Sequence, residues 1–300
     1  MSFTHIIVPA AGLQPFEIGA QSLEAFSLPA AWREAASERI ELHEDSLSLP
    51  WETAYARALG LPSDEGKMPW AAFETQTLNQ PCAWLHPCHL DVGMTDMVMQ
   101  PADLLRLGEA ESRELHALIS PYFEQDGITL KYHSATRWLA LGEQFADFEC
   151  ASLARVQGRS INNFLADAGE FPQALKLSRL QAEMQMLLYT HPISEARQAR
   201  GLPTVNSFWV DGAGVLDAMP QQNNSVHLDL RLQNTQHSEA AYLSAWQSLI
   251  AEWANLDSDA TITLCGERAA MTLKPQKPRF FRQFTSFLGR SPAKNMRGAL

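Results

Sequence analysis

The order in which strand-like and helix-like runs follow one another limits this chain more than any single motif does. His5-Ile6-Ile7-Val8 reads as a strand, closed by Pro9-Ala10-Ala11-Gly12, and helix-like stretches follow at Leu49 to Leu59 and Trp70 to Leu78. Pro81 to Leu90 and Met94 to Met99 are strand-like and flank Asp91-Val92-Gly93, which predicts a hairpin. A helix from about Gly108 to Phe123 stops before Gly127, and strands follow at Ile128 to Tyr132 and Thr136 to Leu141. Leu177, Leu180, Met184, Leu187 and Leu188 form one apolar stripe, so a helix is expected from Pro172 to Tyr189, ended or bent at Pro192. A short helix, Glu195 to Arg200, precedes strands at Val205 to Val210 and Val226 to Leu232, a helix at Ser238 to Ala254 and a last strand at Thr261 to Cys265. This order predicts an α/β fold, a mixed sheet with flanking helices and a helical section near the N-terminus. No period of roughly 20 to 50 residues is present, which excludes solenoids and propellers.

Hydrophobic residues make up 46% of the 300 and charged residues 19%, ample for a sizeable core and too apolar for disorder. The elements predict one α/β body over residues 1–266. No apolar run reaches the roughly 18 residues of a membrane span. The first strand begins without a basic flank, so a cytoplasmic location is expected. Cys82, Cys88, Cys150 and Cys265 then read as reduced thiols.

The net charge of -11 argues against generic nucleic-acid binding. From Arg268 onward, however, there are eight basic residues and no acidic one. Residues 267–300 thus form a basic tail in which Arg279, Arg282 and Arg290 interleave with Phe280, Phe281, Phe284, Phe287 and Leu288 at helical spacing. Such a helix can dock on the chain's own acidic body, on a protein or on nucleic acid.

Cys82, His86, Cys88, His89, Asp91 and Asp96 lie within fifteen residues and invite a zinc reading. Strand alternation places Cys82, His86 and Cys88 on one face and His89 on the other, with steps of about 6.5 Å between alternate residues, so core packing competes with metal binding. Gly-x-Ser-x-Gly, P-loop and Gly-x-Gly-x-x-Gly motifs are absent, which argues against serine hydrolases, P-loop enzymes and Rossmann nucleotide binders. The segment His191 to Gly214 gathers His191, Arg197, Arg200, Asn206, Trp209, Gly212 and Gly214 around a helix-to-strand connection. Two arginines three apart can offer planar donor forks to a carboxylate or phosphate, with Asn206 orienting it and His191 donating to it. The same residues also fit a solvated arginine face with Trp209 in the core.

His191-Pro192, Arg197, Arg200-Gly201, Pro203, Asn206-x-x-Trp209 and Gly212-x-Gly214 resemble a segment of the archaeal-type cofactor-independent phosphoglycerate mutases. The long helix with Glu183 to Leu188, Asn206 to Trp209 and Leu264 to Glu267 resembles bacterial proteins called phosphoglycerate-mutase-like or RpfE-type regulatory proteins. The mutase resemblance implies an alkaline-phosphatase-like fold with a phosphoserine intermediate at two metals, and ligand-binding roles for the seven residues of the segment. Val8-Pro9-Ala10-Ala11 stands where that family has an Asp-Gly pair, Ser194 stands near its asparagine, and Asp211 precedes the paired glycines. No late Asp-His pair follows. The reading is therefore a phosphoglycerate-mutase-like remnant without catalytic residues, metal or cofactor: a regulatory protein binding a small phosphorylated or carboxylate ligand. The alternatives are a phosphomutase or phosphatase-type enzyme acting on small phosphorylated acids, with metal held by residues such as His86, His89, Asp91 and Asp96, and a protein or nucleic-acid docking module acting through the tail.

Overall fold

A computed structural model describes residues 5–11, 36–165, 172–221, 225–235, 238–257 and 259–274. In chain order the first elements are β1 (His5–Val8), β2 (Ala36–Glu41), α1 (Pro50–Leu59), α2 (Trp70–Thr75) and β3 (Cys82–Cys88). Then come β4 (Leu90–Val92), β5 (Met97–Met99), α3 (Ala102–Leu105), α4 (Glu109–Gln125), β6 (Thr129–Ser134), β7 (Arg137–Leu141) and α5 (Leu153–Val156). The last are α6 (Pro172–Tyr189), α7 (Pro192–Ala199), β8 (Ser207–Gly214), β9 (Val226–Leu228), α8 (Arg231–Asn234), α9 (Glu239–Trp253), β10 (Thr261–Cys265) and β11 (Ala269–Lys274). The result is mixed α/β, as expected. The described residues form two compact units, one within 1–44, 49–60 and 221–300 and the other within 45–48 and 61–220.

The first unit is built on a five-stranded sheet in the order β2-β11-β10-β1-β9. β1 runs parallel to β9 and β10, whereas β11 is antiparallel to both β10 and β2. Alternation along β1 sends Ile6 and Val8 to one face and Ile7 to the other. Ile6 and Val8 meet Tyr242, Trp246, Leu249 and Trp253, whose spacing puts them on one side of α9. Ile7 meets Ala54 of α1, Cys265 and Ala270. Ser238 caps α9 by accepting from the Ala241 N–H.

The second unit is built on a four-stranded sheet in the order β6-β7-β3-β8, with antiparallel pairs throughout. Ala83 and Leu85 of β3, Trp138 and Ala140 of β7 and Phe208 and Val210 of β8 share one face, packed on Leu115, Ile119 and Phe123 of α4 and on Leu177, Leu180, Met184 and Leu188 of α6. Every residue of β3 is buried, so its sequence is apolar without alternation although the sheet is antiparallel. The opposite face carries Trp84, His86 and Cys88 beside Ser207, Trp209 and Asp211.

Several expected boundaries move. The hairpin joins β4 to β5, and β3 pairs with β7 and β8 instead. Pro192 is the first residue of α7, where a missing N–H costs nothing, and does not end α6 by a bend. Asp211 to Gly214, expected beyond the strand, are its second half. The strand expected at 226–232 ends at Leu228 and turns into α8. The N-terminal helical section also contains β2, and residues 269–274, expected in the tail, form β11. The rest of the tail, residues 275–300, lies outside the described residues. Among the described residues no helix is long and apolar enough to cross a membrane.

Candidate functional site

The segment 191–214 folds around internal partners. His191 is the N-cap of α7, its Nδ1 accepting from the Ile193 N–H at 3.3 Å. One turn later the two guanidinium groups do converge on a carboxylate, and it is the chain's own Glu111, from α4. Arg197 Nη1 donates to Glu111 Oε2 at 2.7 Å and Arg200 Nη2 to Glu111 Oε1 at 2.8 Å. The Arg197 side chain is fully buried, and its other donors reach the Pro203 carbonyl at 2.7 Å and the Leu105 carbonyl. The forks expected to hold a ligand are thus engaged in tying α7 to α4.

Asn206 clamps the backbone of Leu90 from both sides: its Oδ1 accepts from the Leu90 N–H at 2.8 Å and its Nδ2 donates to the Leu90 carbonyl at 2.9 Å. Trp209 is buried, with Nε1 donating to the Ala151 carbonyl at 2.8 Å. Gly212 and Gly214 lie where β8 bulges against β3 and α2 packs closely. A Cβ on Gly212, at φ +59°, would stand 2.9 Å from the Trp70 Cβ; one on Gly214 would stand 2.9 Å from the Pro69 Cβ. Of the seven residues, then, the structure brings only Arg197 and Arg200 together on one partner.

The His/Cys cluster disperses as well. His89 Nδ1 donates to the Thr204 carbonyl at 2.6 Å, and its Nε2 lies 3.0 Å from Asp91 Oδ1; the other Asp91 oxygen accepts from Gln100. Among the described residues no group of three or more His, Cys, Asp or Glu is placed to hold a metal ion. Burial pushes the Cys82 thiol up to about 11 and those of Cys88 and Cys265 higher still, so none is a ready nucleophile.

Two residues of that cluster, His86 and Cys88, line a cavity, and His86 is the one with an unpartnered polar atom. Strand β3 carries His86 on the side of the sheet away from the main core, beside Asp211 of β8. His86 is buried and Asp211 partly buried, and His86 Nε2 lies 3.8 Å from Asp211 Oδ2 without a hydrogen-bond partner. Burial lowers the imidazole to about 3, helped by the positive charge of Arg137 and opposed by the hydrogen bond that the ring donates to the Thr136 carbonyl. That bond involves Nδ1, since Nε2 has no partner. The ring is therefore neutral near pH 7, with Nε2 free to accept. Burial likewise raises Asp211 to about 6, although its carboxylate accepts the Leu153 N–H at 2.9 Å.

Around this pair, Arg137 stacks over the Trp84 ring at 4.0 Å and bonds Glu74 at 2.8 Å, and the His133 ring lies 4.9 Å from that of Trp84. His86, Gln100, His133, Ser134, Thr136 and Arg137 line a cavity of about 400 Å³. His133, on β6, and Arg137, at the start of β7, carry no motif that singles them out in the sequence. The signal available is a histidine in the middle of a strand buried on both faces.

No family model matches the chain, and no curated protein matches it. Solved structures similar to it include the cofactor-independent phosphoglycerate mutase from Thermoplasma acidophilum DSM 1728, at 13% identity and TM-score 0.37 over 90% of this chain and 89% of that one. The PH0037 protein from Pyrococcus horikoshii is similar at 12% identity and TM-score 0.39, over 92% of this chain and 88% of its own. Likeness at this level carries no activity across.

Proposed function

We propose that the chain is a binding protein for a small hydroxy acid or phosphorylated acid, held in the second unit against His86, His133 and Arg137, and that it acts in regulation. His86 carries this reading. A buried ring nitrogen without a partner is destabilising by roughly 1–3 kcal/mol unless a ligand or water satisfies it. As an acceptor it suits a ligand hydroxyl, while Arg137, already oriented by Trp84 and Glu74, offers its remaining donors to an acid group on the same wall of the cavity. The resemblance of segment 191–214 to the mutases makes phosphoglycerates the first compounds to try.

Calorimetric titration of the full chain with 3-phosphoglycerate, and separately with inorganic phosphate, tests the proposal. Arg137→Gln is expected to weaken binding of both roughly tenfold or more. His86→Phe is expected to weaken the hydroxy acid and leave phosphate unchanged. Wild-type protein that binds neither compound, or variants that bind both as tightly as wild type, would remove this reading.

A further inference from the structure

A second cavity, of about 330 Å³, opens on the same unit and has a different chemistry. Its walls include Trp209, Phe148, Phe164 and Met97, with Ser207 and Gln185 supplying polar atoms. Trp209 is held rigidly by its bond to the Ala151 carbonyl, so its ring is a fixed wall. Ser207 is 3% exposed, and its hydroxyl has no hydrogen bond to a nitrogen or oxygen; its neighbour is the Cys88 thiol, a weak partner. Among the described residues no lysine, arginine or histidine lines the cavity, and the carboxylate on its wall, Glu149, is bonded to Lys67 at 3.2 Å. The space is of the size that small organic ligands occupy, mostly apolar with a few convergent polar groups.

From this combination we infer a binding site for a neutral, planar aromatic molecule carrying one hydrogen-bonding substituent. The aromatic and thioether walls fit a flat ring. The Ser207 hydroxyl fits the substituent. With no cation among the described residues of the wall, an ionised group would enter an apolar site without a counter-charge, which disfavours an acid. The inference does not rest on the acid-binding reading, since the charged residues of that cavity take no part here.

The probe is 2-naphthol, uncharged at neutral pH, titrated into the full chain and followed by tryptophan fluorescence and calorimetry. Saturable 1:1 binding is expected, with 2-naphthalenesulfonate at least about tenfold weaker because its charge cannot be desolvated there. Ser207→Ala is expected to weaken 2-naphthol roughly fivefold, the share of one hydrogen bond. Ala182→Trp, which adds an indole at an exposed position on the cavity wall, is expected to weaken binding at least about tenfold. Should that variant not fold, the Ser207→Ala and sulfonate comparisons decide alone. 3-Phosphoglycerate should not displace 2-naphthol. Absence of saturable binding, equal affinity for the sulfonate, an unchanged Ser207→Ala variant or displacement by the phosphorylated acid would each overturn the inference.

Discussion

Glu111 holds two arginines of opposite exposure: the Arg197 side chain is fully buried, that of Arg200 is 54% exposed. Removing the carboxylate charge would strand the buried guanidinium, whereas the outer one would simply hydrate. Glu111→Gln should therefore destabilise the protein by about 3 kcal/mol or more in urea unfolding, and Arg200→Gln by less than about 1 kcal/mol. Equal losses would mean that burial does not decide the strength of these bonds. Asp211 supplies a second test. Burial raises its carboxyl to about 6 from 3.8, with Glu74 adding to the rise and Arg137 and the backbone bonds opposing it. The folded state thus favours the protonated form, and the stability this contributes is complete below pH 3.8 and lost as pH rises through about 6. Asp211→Asn keeps an acceptor for the Leu153 N–H without titrating. Its stability relative to wild type should rise between about pH 4 and pH 8 by up to about 3 kcal/mol, because each tenfold difference in proton affinity between the folded and unfolded states is worth about 1.4 kcal/mol. Urea unfolding at several pH values measures this; a flat difference would show that Asp211 titrates as a surface carboxylate.

Where α2 meets β8, two glycines allow a helix to approach a strand more closely than a side chain permits. Gly212→Ala would combine a positive φ with a Cβ 2.9 Å from that of Trp70, and should cost about 2 kcal/mol or more in thermal or urea unfolding. Loss below about 0.5 kcal/mol would mean that α2 shifts freely. The same pair of glycines shows the limit of what sequence reveals. Helices α6 and α9 are legible because their apolar stripes depend only on residues within each helix. Gly212 and Gly214 read as a loop, since the reason for them, a bulge and a neighbouring helix, lies more than a hundred residues away in sequence. β2 escapes notice for a different cause. Glu38, Arg39 and Glu41 make it look like a connection, yet it forms the edge of its sheet, where charges discourage pairing with another chain. The anion site follows the same logic: the arginine pair is visible, and the carboxylate that occupies it belongs to another helix. His86 stands out only as a metal ligand; its partner Asp211 cannot be found without the register of β3 and β8.

Across the molecule the net charge of -11 sets up a field that opposes an incoming anion even if the cavity itself is favourable. Association of 3-phosphoglycerate, measured by stopped-flow fluorescence, should therefore speed up about two- to threefold as ionic strength rises from about 10 to 150 mM, while that of uncharged 2-naphthol stays constant. A rate that falls with salt would show that local positive charge dominates the approach. The topology has a further consequence for how the chain is made. β1 leaves the ribosome long before its parallel neighbours, which pair His5 with Val226 and with Thr261. Ile6, Ile7 and Val8 therefore have no parallel neighbour until those distant strands have been translated, whereas the strands from β3 to β8 are complete at Gly214, before β9 and well before β10. Vectorial synthesis then favours completion of the inner segment first, leaving an apolar strand unprotected for the longest time and dependent on whatever shields nascent chains.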